Sequence, residues 1–479
     1  MLESDLNERS DRLCQAYDPD RFARDSASVT ALVRDYLARM SAREDPVWPA
    51  VSPDDLLARW PDHEAASPAT MPELLASVLA DSTHQHHPGF VGQQLSAPPP
   101  LVGPVAMVAA LLNNSSAIFQ GGPVAVVLER RMISWMNRKT GFGTAAGGVL
   151  TSGGTLGALT ALLAMRQARI GGDTWQNGLG GSGGHAVLVN AEAHYCNTRA
   201  CAILGLGECA VIPIATDASF AMDLAALAAA HRQASAAGRR VVAVIANAGT
   251  TATGSHDDLQ AVAAFCEQHG LWLHVDAAHG GGALLSAKYA DLLGGIERAD
   301  SVIWDAHKMM LMPSLCTAVL FRDAAHLQGA FSQRASYLLS DDGARWYEPA
   351  ARSFETTKPA FVLPLYVSLR ALGEKFFAEH VEYAYDLARA FADELQSRAE
   401  FELLTRPQRN IVCFRRRAGT ADSDALQLRL REAVNRRGRF FIMRTKLRGA
   451  VWLRVVLMNP ATRLAHLREL LDELAGEPA

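Results

Sequence analysis

The chain has 479 residues, 49% hydrophobic and 20% charged, more than one core fills, so two or three packed units are expected. Its 46 Lys and Arg nearly balance 50 Asp and Glu, for a formal net charge of -4, which argues against the basic face a nucleic-acid binder needs. The longest uncharged apolar stretch, Leu101–Leu112, is too short to span a bilayer and holds Gly103 and Pro104, so no membrane partner is expected. Seven scattered cysteines with no CxxC pair predict reduced thiols in a cytoplasmic protein. Acid at Glu3 and Asp5, where a signal peptide carries base, agrees with that location.

Residues 1–85 alternate helical patterns with proline breaks at Pro46, Pro49 and Pro53. They read as a helical arm that cannot bury itself and must dock elsewhere, as on a second subunit. His84, His86 and His87 lack a fourth ligand at zinc spacing and read as a His-Pro turn, with no metal. Residues 86–365 form the larger unit. Within it, apolar strands at 186–190, 210–214, 241–246, 271–275, 301–304 and 316–321 alternate with helices such as 155–169 and 257–269. Asp257 marks the start of the latter helix and Gly270 its end. Continuous apolar strands separated by helices predict an α/β fold, a mostly parallel sheet covered on both faces. The Gly-rich stretch 171–184 fits no phosphate-loop spacing and reads as a surface loop. Residues 366–479 predict a smaller α+β unit: a long helix 366–397, strands at 410–415, 439–443 and 451–457, and a last helix 461–474. The run Arg415, Arg416, Arg417 reads as a solvated turn.

Ligands of an open parallel sheet bind at the carboxyl ends of its strands. The reactive side chains cluster there. One strand runs into Asp276, Ala278 and His279, another into Asp305, His307 and Lys308. A third leads to Glu192 and His194, and a fourth to Asn247, Gly249, Thr250 and Thr251. Thr151-Ser152-Gly153-Gly154-Thr155 sets a glycine turn before a helix, whose unpaired N–H groups and dipole suit a phosphate. A lysine, a carboxylate and a phosphate site at neighbouring strand ends suggest pyridoxal 5′-phosphate. Lys308 would form the Schiff base, Asp276 would keep the pyridine nitrogen protonated, and His194 would stack on the ring.

The ordered segments HPGFVGQQLS (87–96), TSGGTLGALTALLAMR (151–166), EAHY (192–195), GTT (249–251), HVDAAHGG (274–281), ADSVIWDAHK (299–308) and LRVVLMNP (453–460) carry a resemblance. From about residue 85 onward the chain resembles the group II pyridoxal-dependent amino acid decarboxylases, which act on glutamate, diaminobutyrate, cysteine sulfinate and aromatic amino acids. The resemblance implies the pyridoxal fold type I, an aspartate-aminotransferase-like large domain. It implies Lys308 as the Schiff-base lysine, Asp276 as the pyridinium partner and His194 as the stacking residue and a candidate proton donor. Gly153, Gly154 and Thr155 would hold the phosphate with His307 beside it. Thr251, Ala278 and Asp305 would line the cofactor. Arg454 would pair with the substrate carboxylate, Gln93 (or Gln94, one residue on) would line the substrate pocket, and His279 would shape it.

Family members return a proton to Cα from a tyrosine on a loop after the lysine. Here the loop is 338–352, with Tyr347 best placed and Tyr337 second. A tyrosine there favours simple decarboxylation to the amine. Oxidative conversion to an aldehyde, or transamination on the same fold, is the alternative. The WDAHKMM and GQQLS segments look closer to the enzymes of small polar or acidic L-amino acids. A homodimer with active sites at the subunit interface is implied as well.

Overall fold

The computed structural model describes residues 2–60, 62, 69–171, 174–179, 184–331, 346–418 and 422–478. Seven strands form the larger sheet: β1 (Gly147–Thr151), β2 (His185–Asn190), β3 (Val211–Ile214), β4 (Arg240–Asn247), β5 (Trp272–Asp276), β6 (Ser301–Asp305) and β7 (Thr317–Phe321). Their order is β1-β7-β6-β5-β4-β2-β3. β7 runs antiparallel to both its neighbours, β1 and β6, and the other adjacent pairs are parallel.

Alternate side chains feed two cores. Leu188, Val244, Leu273 and Val302 pack with helices Pro123–Thr140, Leu224–Ala236 and Leu259–His269. Val187, Ile245, Ile303 and Val319 pack with helices Gly154–Arg169 and Cys196–Ile203. Coverage of both faces explains why the strands read as unbroken apolar runs. A second, antiparallel sheet of β8 (Phe401–Leu403), β9 (Ile411–Arg416), β10 (Met443–Leu447) and β11 (Ala450–Val456) has the order β10-β11-β9-β8. Helices Ser423–Arg437 and Leu464–Gly476 back it. The long helix Val362–Ser397 leads into this smaller unit and breaks at Gly373, where φ is 78° and ψ 162°. This is the expected α/β architecture, with an N-terminal helical stretch and a small α+β unit.

Four helices occupy the N-terminal stretch: Leu2–Cys14, Pro19–Ala42, Pro53–Arg59 and Met71–Ala80. They leave Leu13, Leu57 and Leu74 exposed, as the turn between the first two leaves Tyr17, and helix Val102–Leu112 exposes Met107, Val108, Leu111 and Leu112. His86 and His87 do form a turn: the His87 Nδ1 accepts the Gly89 N–H at 2.9 Å, and His86 Nε2 lies 2.9 Å from the Pro98 carbonyl. Among the described residues no helix is long and apolar enough to cross a membrane.

Several local expectations are corrected. β1 and β8 were not anticipated, the first because GGVLT offers only two large apolar residues and the second because FEL is so short. The strand expected at 439–443 lies at 443–447, since Phe440 and Ile442 are buried core residues before an edge strand of polar alternation. Helix 257–269 begins at Leu259, capped by the Asp258 side chain on the Ala261 N–H. Asp257 serves elsewhere, accepting from Asn190 Nδ2, Met222 N and Asn247 N, each at 2.7 Å. Burial pushes its carboxyl up to about 6. Arg415 and Arg416 are not in a turn but at the end of β9, where Arg415 pairs with Glu402 at 2.9 Å. The Gly-rich stretch lies partly outside the described residues, although Thr174–Asn177 forms one helical turn.

A buried ion pair secures the end of β1. Lys358 Nζ, wholly buried, donates to Glu129 Oε1 at 2.7 Å and to the Leu150 carbonyl at 3.2 Å, while Glu129 Oε1 also accepts the Leu150 N–H at 3.0 Å. Removing one member of such a pair leaves the other as an uncompensated buried charge. Lys358→Met is therefore expected to lower unfolding stability by about 3–5 kcal/mol in urea denaturation of the cofactor-free protein.

Candidate active site

Parallel register sets Asn247 beside Asp276, and Asp276 beside Ile303. Side chains alternate along a strand, so Asn247, Asp276 and Asp305 share the sheet face of Ile245, Trp272 and Ile303, under helix Gly154–Arg169. A cavity of about 550 Å3 opens at these strand ends.

Lys308 stands three residues past the end of β6, its Nζ 2.9 Å from Asp305 Oδ2. Asp305 Oδ1 accepts from Thr317 Oγ1 at 2.5 Å, which fixes the carboxylate from the β7 side. Burial pushes the Lys308 ammonium down, but the charges of Asp305 and Asp276 outweigh it and leave the group above its ordinary value. Asp276 is pushed up by burial, offset in part by Lys308 and by the Ala278 N–H, which its Oδ1 accepts at 3.1 Å. His194 is lowered by burial, and its Nδ1 accepts the Cys196 N–H at 3.3 Å. Its remaining proton therefore sits on Nε2.

Gly153 (φ 113°) carries no side chain to cap helix Gly154–Arg169, so the first-turn N–H groups face the cavity without a competing oxygen. A Cβ at Gly154 would lie 3.3 Å from both Asp305 carboxylate oxygens. Only glycines leave room for a phosphate to approach here. His307 closes the same end, with Nδ1 3.0 Å from the Cys316 carbonyl and Nε2 3.5 Å from Asp305.

His279 lines the cavity as well, and its Nε2 lies 2.8 Å from Asn410 Oδ1. The Asn410 amide donates to the Leu457 carbonyl at 3.3 Å, so His279 Nε2 is the protonated nitrogen. Burial, with Lys308, Arg409 and Arg454 near, holds this imidazole well below its ordinary value. Behind it, the wholly buried Arg409 donates to the Gly280 carbonyl at 2.9 Å.

The cavity thus gathers Lys308, Asp276, His194, Gly153, Gly154, Thr155, Thr251, Ala278, His279, Asp305 and His307. Three expected residues stand off it. Arg454 lies behind the Thr251 loop, donating to the carbonyls of Thr251 (2.6 Å), Ala252 (3.0 Å) and Gly92 (3.3 Å). Gln93 is absent from the lining, to which its segment contributes Leu95. Tyr347 packs against Phe119 and Trp346, with ring centroids 5.9 and 5.6 Å away. Tyr337 lies outside the described residues. Conversely, Cys196, Leu315, Ile303 and Asn247 line the cavity without having been singled out as site residues. The first three are apolar or weakly polar and offer no reactive group to single them out. Asn247 was legible only as a polar residue ending an apolar strand.

The residues present fit pyridoxal phosphate: a lysine for its aldehyde, a buried carboxylate for its ring nitrogen, and a glycine-lined helix terminus for its phosphate. Residues 58–417 match the model of the pyridoxal-dependent decarboxylase conserved domain. The chain belongs to this family. It is 32% identical over 420 residues to the L-2,4-diaminobutyrate decarboxylase of Rhizobium meliloti (strain 1021), covering 87% of this chain and 81% of that one. It is 33% identical over 347 residues to the cysteine sulfinic acid decarboxylase of Rattus norvegicus, covering 71% of this chain and 70% of the relative. The crystal structure of mouse CSAD superposes with a TM-score of 0.89 at 27% identity, covering 95% of this chain and 98% of that one. The protein is a pyridoxal-phosphate-dependent amino acid decarboxylase.

Asp305 is one of the two carboxylates that raise Lys308. Asp305→Asn leaves burial less opposed, so the lysine becomes neutral, and reactive toward an aldehyde, at lower pH. The rate at which cofactor-free protein gains its visible band with pyridoxal phosphate is expected to have its pH midpoint about one unit lower.

Proposed function

We propose that the chain decarboxylates a small polar or acidic L-amino acid to its amine and carbon dioxide, working as a homodimer. The observation that carries this is the convergence of Lys308, Asp276 and the Gly153–Thr155 turn on one cavity. Pyridoxal phosphate, when bound, supplies the electron sink that takes up the pair left on Cα as carbon dioxide departs. Lys308 would hold the cofactor by its aldehyde. Asp305, 2.9 Å away, pairs with the free lysine ammonium. Asp276 would hold a proton on the ring nitrogen, where it favours electron withdrawal. His194 would stack on the ring, and its own proton is kept at Nε2 by the Cys196 N–H on Nδ1.

Arg454 is assigned to the substrate carboxylate: it retains N–H groups beyond those given to three carbonyls, and it backs the Thr251 loop that lines the cavity. Gln93 is assigned to the substrate side of the same segment as Leu95, and His279 to the wall. Tyr347 does not line its own chain's cavity, so its role as a proton donor to Cα requires the second subunit. A small polar or acidic substrate is supported by the relatives, which are named for diaminobutyrate and cysteine sulfinic acid.

The deciding assay mixes protein and pyridoxal phosphate with a panel of L-amino acids in air and reads products by mass spectrometry. An amine that vanishes in Lys308→Ala is expected; an aldehyde with ammonia and peroxide would overturn simple decarboxylation. Helix Val102–Leu112 exposes Met107, Val108, Leu111 and Leu112 together, an apolar face that supports the dimer reading. Sedimentation is expected to give a dimer, and Met107→Glu with Leu111→Glu to give an inactive monomer. A fully active monomer would defeat the dimer reading.

A further inference from the structure

Asn247 ends β4, lines the cavity and is 2% exposed. Its backbone is held from behind by Asp257, whose Oδ2 accepts the Asn247 N–H at 2.7 Å and whose N–H reaches the Asn247 carbonyl at 2.9 Å. Its side-chain Nδ2, by contrast, is buried with no hydrogen-bond partner among the described residues. Native proteins rarely keep a buried amide donor unpaired, because its lost hydration is not replaced. One other lining residue has such an atom, His279 Nδ1, and with the proton on Nε2 that atom is an acceptor. Among the fully buried donors of the described lining residues the unsatisfied one is therefore Asn247, whose side-chain amide makes no hydrogen bond that would stop it turning its Nδ2 toward the cavity.

We infer that Asn247 donates its Nδ2 hydrogen to the ring oxygen of pyridoxal phosphate. The inference rests on the assignment of Lys308, Asp276 and Gly153–Thr155 proposed above. In this cofactor the ring nitrogen and the aldehyde carbon mark opposite ends of one axis. The phosphate arm and the ring oxygen leave from opposite edges, on either side of the aldehyde. With the nitrogen at Asp276 and the aldehyde at Lys308, the position of the phosphate decides where the oxygen faces. Gly153 follows β1, and Gly154 lies against Asp305 at the end of β6. In the order β1-β7-β6-β5-β4 the phosphate edge is thus on the β6 side of Asp276. The oxygen edge faces β4, where Asn247 stands in register with Asp276. Thr250 is nearby on the same loop, but its hydroxyl is already engaged with Thr253 at 2.8 Å. An amide donor suits the oxygen, which carries negative charge once the lysine nitrogen has its proton.

The test titrates cofactor-free protein with pyridoxal phosphate, reading affinity from the visible band and, over a pH series, the midpoint at which that band shifts. Asn247→Leu keeps the branched shape and the number of heavy atoms and removes the donor. It is expected to weaken cofactor affinity about 10- to 100-fold. It should also raise the spectral midpoint by about one pH unit, since a donor on the ring oxygen draws charge away from the lysine nitrogen and loosens its proton. Asn247→Asp sets an oxygen where the donor was and is expected to bind the cofactor more weakly than Leu does. Thermal melting separates these losses from misfolding: without cofactor the Leu variant should be at least as stable as the parent, and the deficit should emerge only on loading. Unchanged affinity and midpoint in both variants would overturn the inference, as would an equal loss of stability with and without cofactor. Failure of the underlying site is distinguishable, because a Lys308→Ala protein that still forms the lysine-linked band would remove the assignment of Lys308 itself.

Discussion

Asn247, Asp276 and Asp305 reach one cavity because β4, β5 and β6 pair in parallel register and carry their side chains with a period of two. A slip of one residue in β5 would turn Asp276 toward the face of Leu273 and Val275, into an apolar core with no cation to meet it. The register is protected by burial: Trp272, Leu273, His274 and Val275 are each almost fully enclosed, so both faces resist a shift. Asp257 adds a polar restraint, gathering β2, the Met222 segment and β4 onto a single carboxylate. The Lys358–Glu129 pair does the same for β1, whose end feeds the phosphate turn.

Buried charge is the second theme. Asp305 and Asp276 both counter the desolvation of Lys308, and Lys308 counters that of Asp276, while the like charge of Asp305 adds to it. The two carboxylates end the adjacent strands β5 and β6, and the lysine follows β6 by three residues, so backbone geometry sets their spacing. That preorganisation lets the cavity carry opposite charges close together without collapse. Behind the cavity the cations change character: Arg409 and Arg454 are buried on backbone carbonyls, and they shape loops as much as they supply charge.

The sheet and most of the site were readable from the chain itself. Buried parallel strands leave a strong apolar signature, and reactive residues at their ends stand out because a core strand rarely stops on Asp, Lys and His together. What escaped was what packing decides. β1 and β8 are too short to show a period, and the polar edge strand β10 hides behind the more apolar Phe440–Ile442. Asp257 and Asp258 are alike in sequence, yet one caps a helix and the other ties three segments together; only the fold separates them. Arg454 could be numbered from its motif, but not its three carbonyl partners, which come from segments far apart in sequence. Asn247 had no motif at all, and its interest lies in a missing hydrogen bond, something a sequence cannot display.

The contact of Arg409 with Gly280 bears on how this chain can vary. A Cβ at position 280 would fall 1.9 Å from Arg409 Nη1 and also 1.9 Å from the Ala248 carbonyl oxygen. Shortening the arginine would relieve the first clash and leave the second, because the obstacle there is main chain. No compensating change of one side chain can rescue alanine at that site. Position 280 is therefore closed to mutational drift, and its neighbours β4 and β5 inherit a fixed separation at the point where their ends meet the cavity.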